Sequence, residues 1–87
     1  MITGKPVDVI SVCTADGEIR PLRLRVADEQ QFLMRVDIDE ILDIKRIEHV
    51  GVESSIFICR GNLWGRSRVF QLKYTYRSHC WRLCGGG

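Results

Sequence analysis

The chain has 87 residues, 45% hydrophobic and 28% charged, which is the make-up of one globular domain with no room for a second core and too apolar for a disordered chain. No run approaches the eighteen or so apolar residues of a spanning helix, and MITGKPVDV lacks the layout of a secretory signal, so a cytoplasmic protein with no membrane partner is expected. The net charge of +2 is too small by itself to point to a partner of either sign.

Residues 5–14, KPVDVISVCT, are β-branched and poor in helix formers, which predicts a strand. AlaAspGlyGlu at 15–18 supplies a turn with a glycine able to take positive φ. From Ile19 to Val26, Leu22, Leu24 and Val26 alternate with Arg23 and Arg25, the period of a half-buried strand. AspGluGlnGln makes the next turn. Phe32, Met34, Val36 and Ile38 then alternate with Leu33, Arg35 and Asp37, a third strand.

The segment DEILDIKRIEHV at 39–50 supports two readings. Ile41, Ile44, Ile47 and Val50 recur every third position, with Asp39 as a possible cap and Gly51 as a stop, so a short helix near 39–48 fits. Its isoleucine-rich composition favours a bend followed by a strand. Ser54–Arg60 is apolar on both faces, as a central strand is, and GlyAsnLeuTrpGly at 61–65 reads as a loop. Phe70, Leu72, Tyr74 and Tyr76 share one face, ArgSerHis turns the chain, and Cys80–Cys84 forms a last strand with Trp81 inward. Short strands at roughly ten-residue spacing predict an all-β protein. The expected fold is a small antiparallel barrel of about six strands over residues 1–84, with GlyGlyGly at 85–87 as a flexible end.

The stretches GEIRPLRLRVADEQQFLMRVDIDEILDIKR and VFQLKYTYRSHCW resemble a group of short bacterial all-β proteins of no assigned activity. In these a Lys-Pro-Leu-Arg-type strand, a Val-Asp-Arg-Ile-type segment and a Leu-Lys-Tyr…Cys…Trp ending recur. More distantly, PLRLRV…FLMRVDIDEI is similar to strands of the WYL domain, an Sm-like barrel in regulators that sense nucleic acid or nucleotides. This resemblance implies an Sm-like or similar barrel. AspIleAspGluIle stands where that pattern has an arginine before the isoleucine, so no functional residue is carried over.

Four cysteines allow three disulfide pairings, but without an export signal reduced thiols are expected. His79, Cys80 and Cys84 are zinc-ligand types, yet in a strand Cys80 and Cys84 stand about 13 Å apart, too far for one tetrahedral ion or for a disulfide. Cys59, inside IFIC, is expected in the core, and Cys13 similarly. Asp37, Asp39, Glu40 and Asp43 crowd together without the glycine-pivoted loop of a calcium site, so a solvated acidic turn is expected. Neither a metal nor a cofactor is expected. With His49 and His79 the only histidines and no phosphate loop or triad, no enzymatic activity is expected either.

Charge is distributed unevenly along the chain. Residues 1–43 carry five Lys/Arg and nine Asp/Glu, whereas residues 44–87 carry eight and two. Either the basic half presents one cationic side, or antiparallel strands interleave the halves and neutralise them. Small barrels bind single-stranded nucleic acid by joining a cationic track to stacking aromatics. The residues of the right type are Arg23, Arg25, Arg60, Trp64, Arg66, Arg68, Lys73, Arg77 and Arg82, and Trp64 in its glycine-flanked loop is the large aromatic expected to be exposed. The leading expectation is a non-catalytic module for nucleic acid or another polyanion. The alternative is a protein-interaction module or homodimer that uses an exposed strand edge and the Trp64 loop.

Overall fold

The computed structural model describes residues 4–27, 30–63 and 65–86. Six strands follow one another around a closed antiparallel barrel: β1 (Lys5–Cys13), β2 (Ile19–Ala27), β3 (Leu33–His49), β4 (Val52–Leu63), β5 (Arg66–Thr75) and β6 (Cys80–Gly86). Each strand pairs with its sequence neighbour, and β6 closes on β1 through Val7–Trp81 to Lys5–Leu83. Where these ladders run, closure removes the free edges that a six-stranded open sheet would leave.

The core is the inward row of each strand. Leu24, Val26, Val36, Phe57, Cys59, Phe70, Leu72, Tyr74 and Trp81 are buried, with Val7, Val9, Ile19, Ile38, Ile41, Tyr76 and Leu83 packed against them. Trp81 lies between Tyr74 and Phe57, with ring centroids at 4.8 and 5.5 Å. The alternation of Phe70, Leu72 and Tyr74 therefore marks the inward face, and Trp81 is inward as expected.

Alternation fails at β-bulges. On β2, Leu22 is half exposed (50%) while Pro21 is buried. In the ladder with β1, Ile10 faces Arg23 and Ser11 faces Pro21, so Leu22 is the extra residue. The inward set is thus Ile19 and Pro21, then Leu24 and Val26, with the face switching at the bulge.

Residues 39–48 are strand, so the short helix is overturned. The ladder of β3 with β4 skips a residue between Ile38 and Glu40 and another between Ile41 and Asp43. Each bulge adds one residue to a two-residue step, so Ile38, Ile41 and Ile44 share a face although they stand three apart. Of the helix-like series, the step from Ile41 to Ile44 thus marks a bulge, whereas Ile47 follows without one and lies on the opposite face. Val50 (φ 52°) and Gly51 (φ 77°) form the two-residue turn to β4, and Gly51 starts a hairpin where it had fitted a helix stop.

Three further expectations change. β4 runs on through Gly61–Leu63, paired with Arg68–Arg66, so most of the presumed 61–65 loop is ladder. A Cβ on Gly61 would stand 2.5 Å from the Asp37 carbonyl oxygen, which explains why a strand carries glycine there. β6 likewise extends through Gly85 and Gly86, opposite Gln71 and Phe70, because ladder bonds need no side chain. Phe32 precedes β3 and is exposed, outside the inward row of Val36 and Ile38.

The barrel is not closed along its whole length. β2 pairs with β3 only from Arg23–Asp37 to Ala27–Leu33, and β1 pairs with β6 only over Lys5–Val7. Beyond these ladders the β1–β2 and β3–β4 hairpins diverge. Between them lies a cleft of about 250 Å³ lined by Glu18, Ile19, Ile44, Arg46, Ser55, Phe57 and Tyr76.

Candidate polyanion interface

The registers of β3, β4, β5 and β6 bring three cations into one cross-strand row. Lys45 faces Ile56, Ile56 faces Lys73, and Lys73 faces Arg82. All four alternate with inward residues (Ile44, Phe57, Leu72 and Trp81), so the row lies on the outer surface. At about 4.8 Å between strands, it spans roughly 14 Å from Lys45 to Arg82. Arg77 is exposed in the turn between β5 and β6, beyond the Thr75–Cys80 pair and so displaced from the row along the strand direction. Among the described residues no carboxylate lies within ion-pair distance of Lys45, Lys73, Arg77 or Arg82.

Local contacts set the row in place. Arg82 Nη1 donates to the Gly4 carbonyl at 2.8 Å, which ties the guanidinium to the residue that precedes β1. The space beside it is tight, since a Cβ on Gly4 would stand 2.6 Å from Arg82 Cβ. Cys84 shares the neighbourhood. Burial pushes its thiol pKa up, and the nearby charges of Lys73 and Arg82 pull it down.

The other cations singled out from sequence are distributed differently. Arg23 Nε donates to Asp37 Oδ1 at 2.6 Å and Arg25 Nη2 to Asp8 Oδ2 at 2.6 Å. Arg60 is held by Glu40 across the β3–β4 ladder. These three form no common track with Lys73 and Arg82, and each is neutralised in its own strand pair. Arg66 and Arg68 open β5 at the far end, opposite Leu63 and Gly61, and Arg68 is half-buried. Trp64 lies outside the described residues. The structure therefore joins Lys73 and Arg82, leaves Arg77 in the turn beyond them, and adds Lys45, which sequence reasoning missed. The signal for Lys45 was present: a two-residue turn at Val50–Gly51 fixes His49 opposite Val52, and counting back sets Lys45 opposite Ile56.

The open end of the barrel holds a second polar cluster that the sequence did not disclose, because its tyrosines read as core. Tyr76 and Ser55 hydroxyls share a hydrogen bond of 2.7 Å. Arg46 Nη2 donates to Tyr76 Oη at 3.3 Å, with its guanidinium 5.5 Å from the ring centroid. That contact raises the Arg46 pKa further above its ordinary value. Tyr74 bonds His79 Nδ1 at 2.8 Å, and burial raises its phenol pKa. Both tyrosines meet edge to face at 5.0 Å. The network holds the cleft floor in one shape.

The thiols divide by position. Cys59 is buried as expected, and burial pushes its pKa up to about 12. Cys13 is exposed, against expectation, because β1 outruns β6 and ends beyond the core. Cys80 is exposed and Cys84 half-buried.

No known family model, curated protein or solved structure matches this chain.

Proposed function

We propose that this protein is a non-catalytic small-barrel module that binds a polyanion, nucleic acid foremost, on the outer face of β3–β6. The observation that carries this reading is the cross-strand row of Lys45, Lys73 and Arg82, with Arg77 in the turn that follows β5, all free of acidic partners among the described residues. By axial rise a row of about 14 Å spans about four phosphates of one duplex strand. The surrounding outward residues on these strands, Ile56, Ile58, Val69 and Thr75, bring no stacking aromatic, so the contact is to phosphates and is indifferent to base sequence.

Fluorescence anisotropy with labelled single- and double-stranded oligonucleotides tests the reading. Three to four phosphate contacts predict a log–log salt slope near −3 on duplex, hence an affinity loss of about 50-fold between about 50 and 200 mM salt. Lys73→Gln or Arg82→Gln should each weaken binding and flatten the slope by about one. Arg23→Gln and Arg25→Gln, whose parents are bound to Asp37 and Asp8, should change it much less. Absence of binding at the lower salt, or equal loss from all four variants, would overturn the assignment.

A further inference from the structure

We propose that a second copy of this chain pairs antiparallel with the open edge of β3, in the register that sets Ile47 opposite its own counterpart. This goes beyond polyanion binding and does not depend on it. Among the described residues, β3 from Ile38 to His49 is paired on one side only, with β4. Unpaired edges are templates for another strand. Bulges and charged side chains blunt this edge only in part, for Asp43–His49 is free of bulges and Ile44 and Ile47 are exposed along it, with Val50 exposed at the turn beyond.

The geometry narrows the partner strand to a short stretch. Bulges at Asp39 and Leu42 interrupt the edge, leaving Asp43–His49 as the uninterrupted run. Residues flanking a two-residue turn exchange both main-chain hydrogen bonds, so His49 and Val52 bond each other. By alternation Ile44, Arg46 and Glu48 turn their N–H and C=O groups to the open side. Consistent with this, Ile44 N–H is bonded to the Asp43 carboxylate at 2.8 Å.

Charge then selects the register. Two identical antiparallel strands are related by a two-fold axis through the sheet, which requires that opposed residues point to the same face. One residue therefore meets its own copy. Centring on Lys45 or Arg46 opposes like cations, and centring on Ile44 runs the bulge at Leu42 into the new ladder. Centring on Ile47 opposes Ile47 to Ile47 and Arg46 to Glu48 twice over. The open groups of Arg46 and Glu48 are also the ones that this register brings into hydrogen bonding. It relieves a like-charge pair as well, for Glu48 already sits opposite Glu53 in the β3–β4 ladder, a destabilising arrangement that the incoming arginine neutralises.

Sedimentation velocity of the whole chain, from about 5 to 500 μM to cover the weak affinity of a small interface, tests this. The expected result is a concentration-dependent species of twice the 10.0 kDa chain mass. Ile47→Lys and Arg46→Glu should each raise the dissociation constant at least about tenfold. The double variant Arg46→Glu/Glu48→Arg, which restores the opposed charges, should regain the dimer. Circular dichroism of each variant reports whether the barrel is intact, and the double variant separates a lost pairing from a lost Arg46–Tyr76 contact. A monomer at every concentration would overturn the proposal and leave the edge to a strand of a different protein. So would a dimer that survives both single substitutions, or one that the charge exchange does not restore.

Discussion

The Cys59 thiol makes its hydrogen bond within β4, to the Phe57 carbonyl at 3.6 Å, and is sealed from solvent. Burial raises its pKa from an ordinary 9.0 to about 12, so the folded protein holds this proton where the unfolded chain releases it. The stability it contributes is complete below pH 9 and falls, as pH rises towards 12, by about 1.4 kcal/mol per pH unit. Urea midpoints of the protein and of Cys59→Ala should therefore converge as pH rises above 9. In native alkylation read by mass spectrometry, Cys13 and Cys80 should react first, Cys84 more slowly and Cys59 only on unfolding. Val50 is a second residue with a local signature. A β-branched side chain at φ 52° is strained, and at 87% exposure it has little packing to lose. Val50→Asn, with the side chain that this turn favours, should stabilise the protein by about 1 kcal/mol in denaturant unfolding.

At the scale of the strand, the bulges determine what each side chain does. Leu22 and Leu24 read identically in the alternation of β2, but the extra residue at Leu22 turns it to solvent. Leu22→Lys should change stability by less than about 0.5 kcal/mol, whereas Leu24→Ala should cost about 2–5 kcal/mol. Equal costs in urea unfolding would contradict the bulge. The strands themselves were legible: β1, β2 and β6 begin where composition and turn residues set them, and β5 begins three residues before Val69, the first residue of its alternation. The bulges were not, because an extra residue leaves no trace in composition and shows only when a partner strand is counted against it. β3 illustrates this most fully, since two bulges set Ile38, Ile41 and Ile44 on one face although they stand three apart.

At the scale of the molecule, the uneven charge along the chain resolves into two regimes. Four of the ion pairs, Arg20–Glu18, Arg23–Asp37, Arg25–Asp8 and Arg35–Asp37, join residues within the acidic half, and Arg60–Glu40 links the halves. The acidic half thus absorbs all four of its own arginines, and most of the cations left over lie on β3, β5 and β6. The paired side chains are 42–70% exposed, so solvent and salt screen them and they add little to stability. Raising salt from about 0.05 to 0.5 M should therefore move the unfolding free energy by less than about 1 kcal/mol, while oligonucleotide binding should collapse over the same range. If stability fell in step with binding, the ion pairs rather than the apolar interior would be holding the barrel.

The sequence by itself determined the fold class, the strand count and the inward rows of Phe70, Leu72, Tyr74 and Trp81, because these rest on local alternation and on turn residues. It also supplied the basic side chains from which the candidate face is drawn. Only the tertiary structure decided which of them lie together. Lys45 meets Lys73 and Arg82 through three inter-strand registers, and Arg23, Arg25 and Arg60 are cancelled by carboxylates on neighbouring strands. The opening of the barrel between β2 and β3, with the free edge it leaves, was likewise a tertiary outcome. It follows from a mismatch between a nine-residue strand and a seventeen-residue one, and such a mismatch acquires meaning only when the two lie side by side.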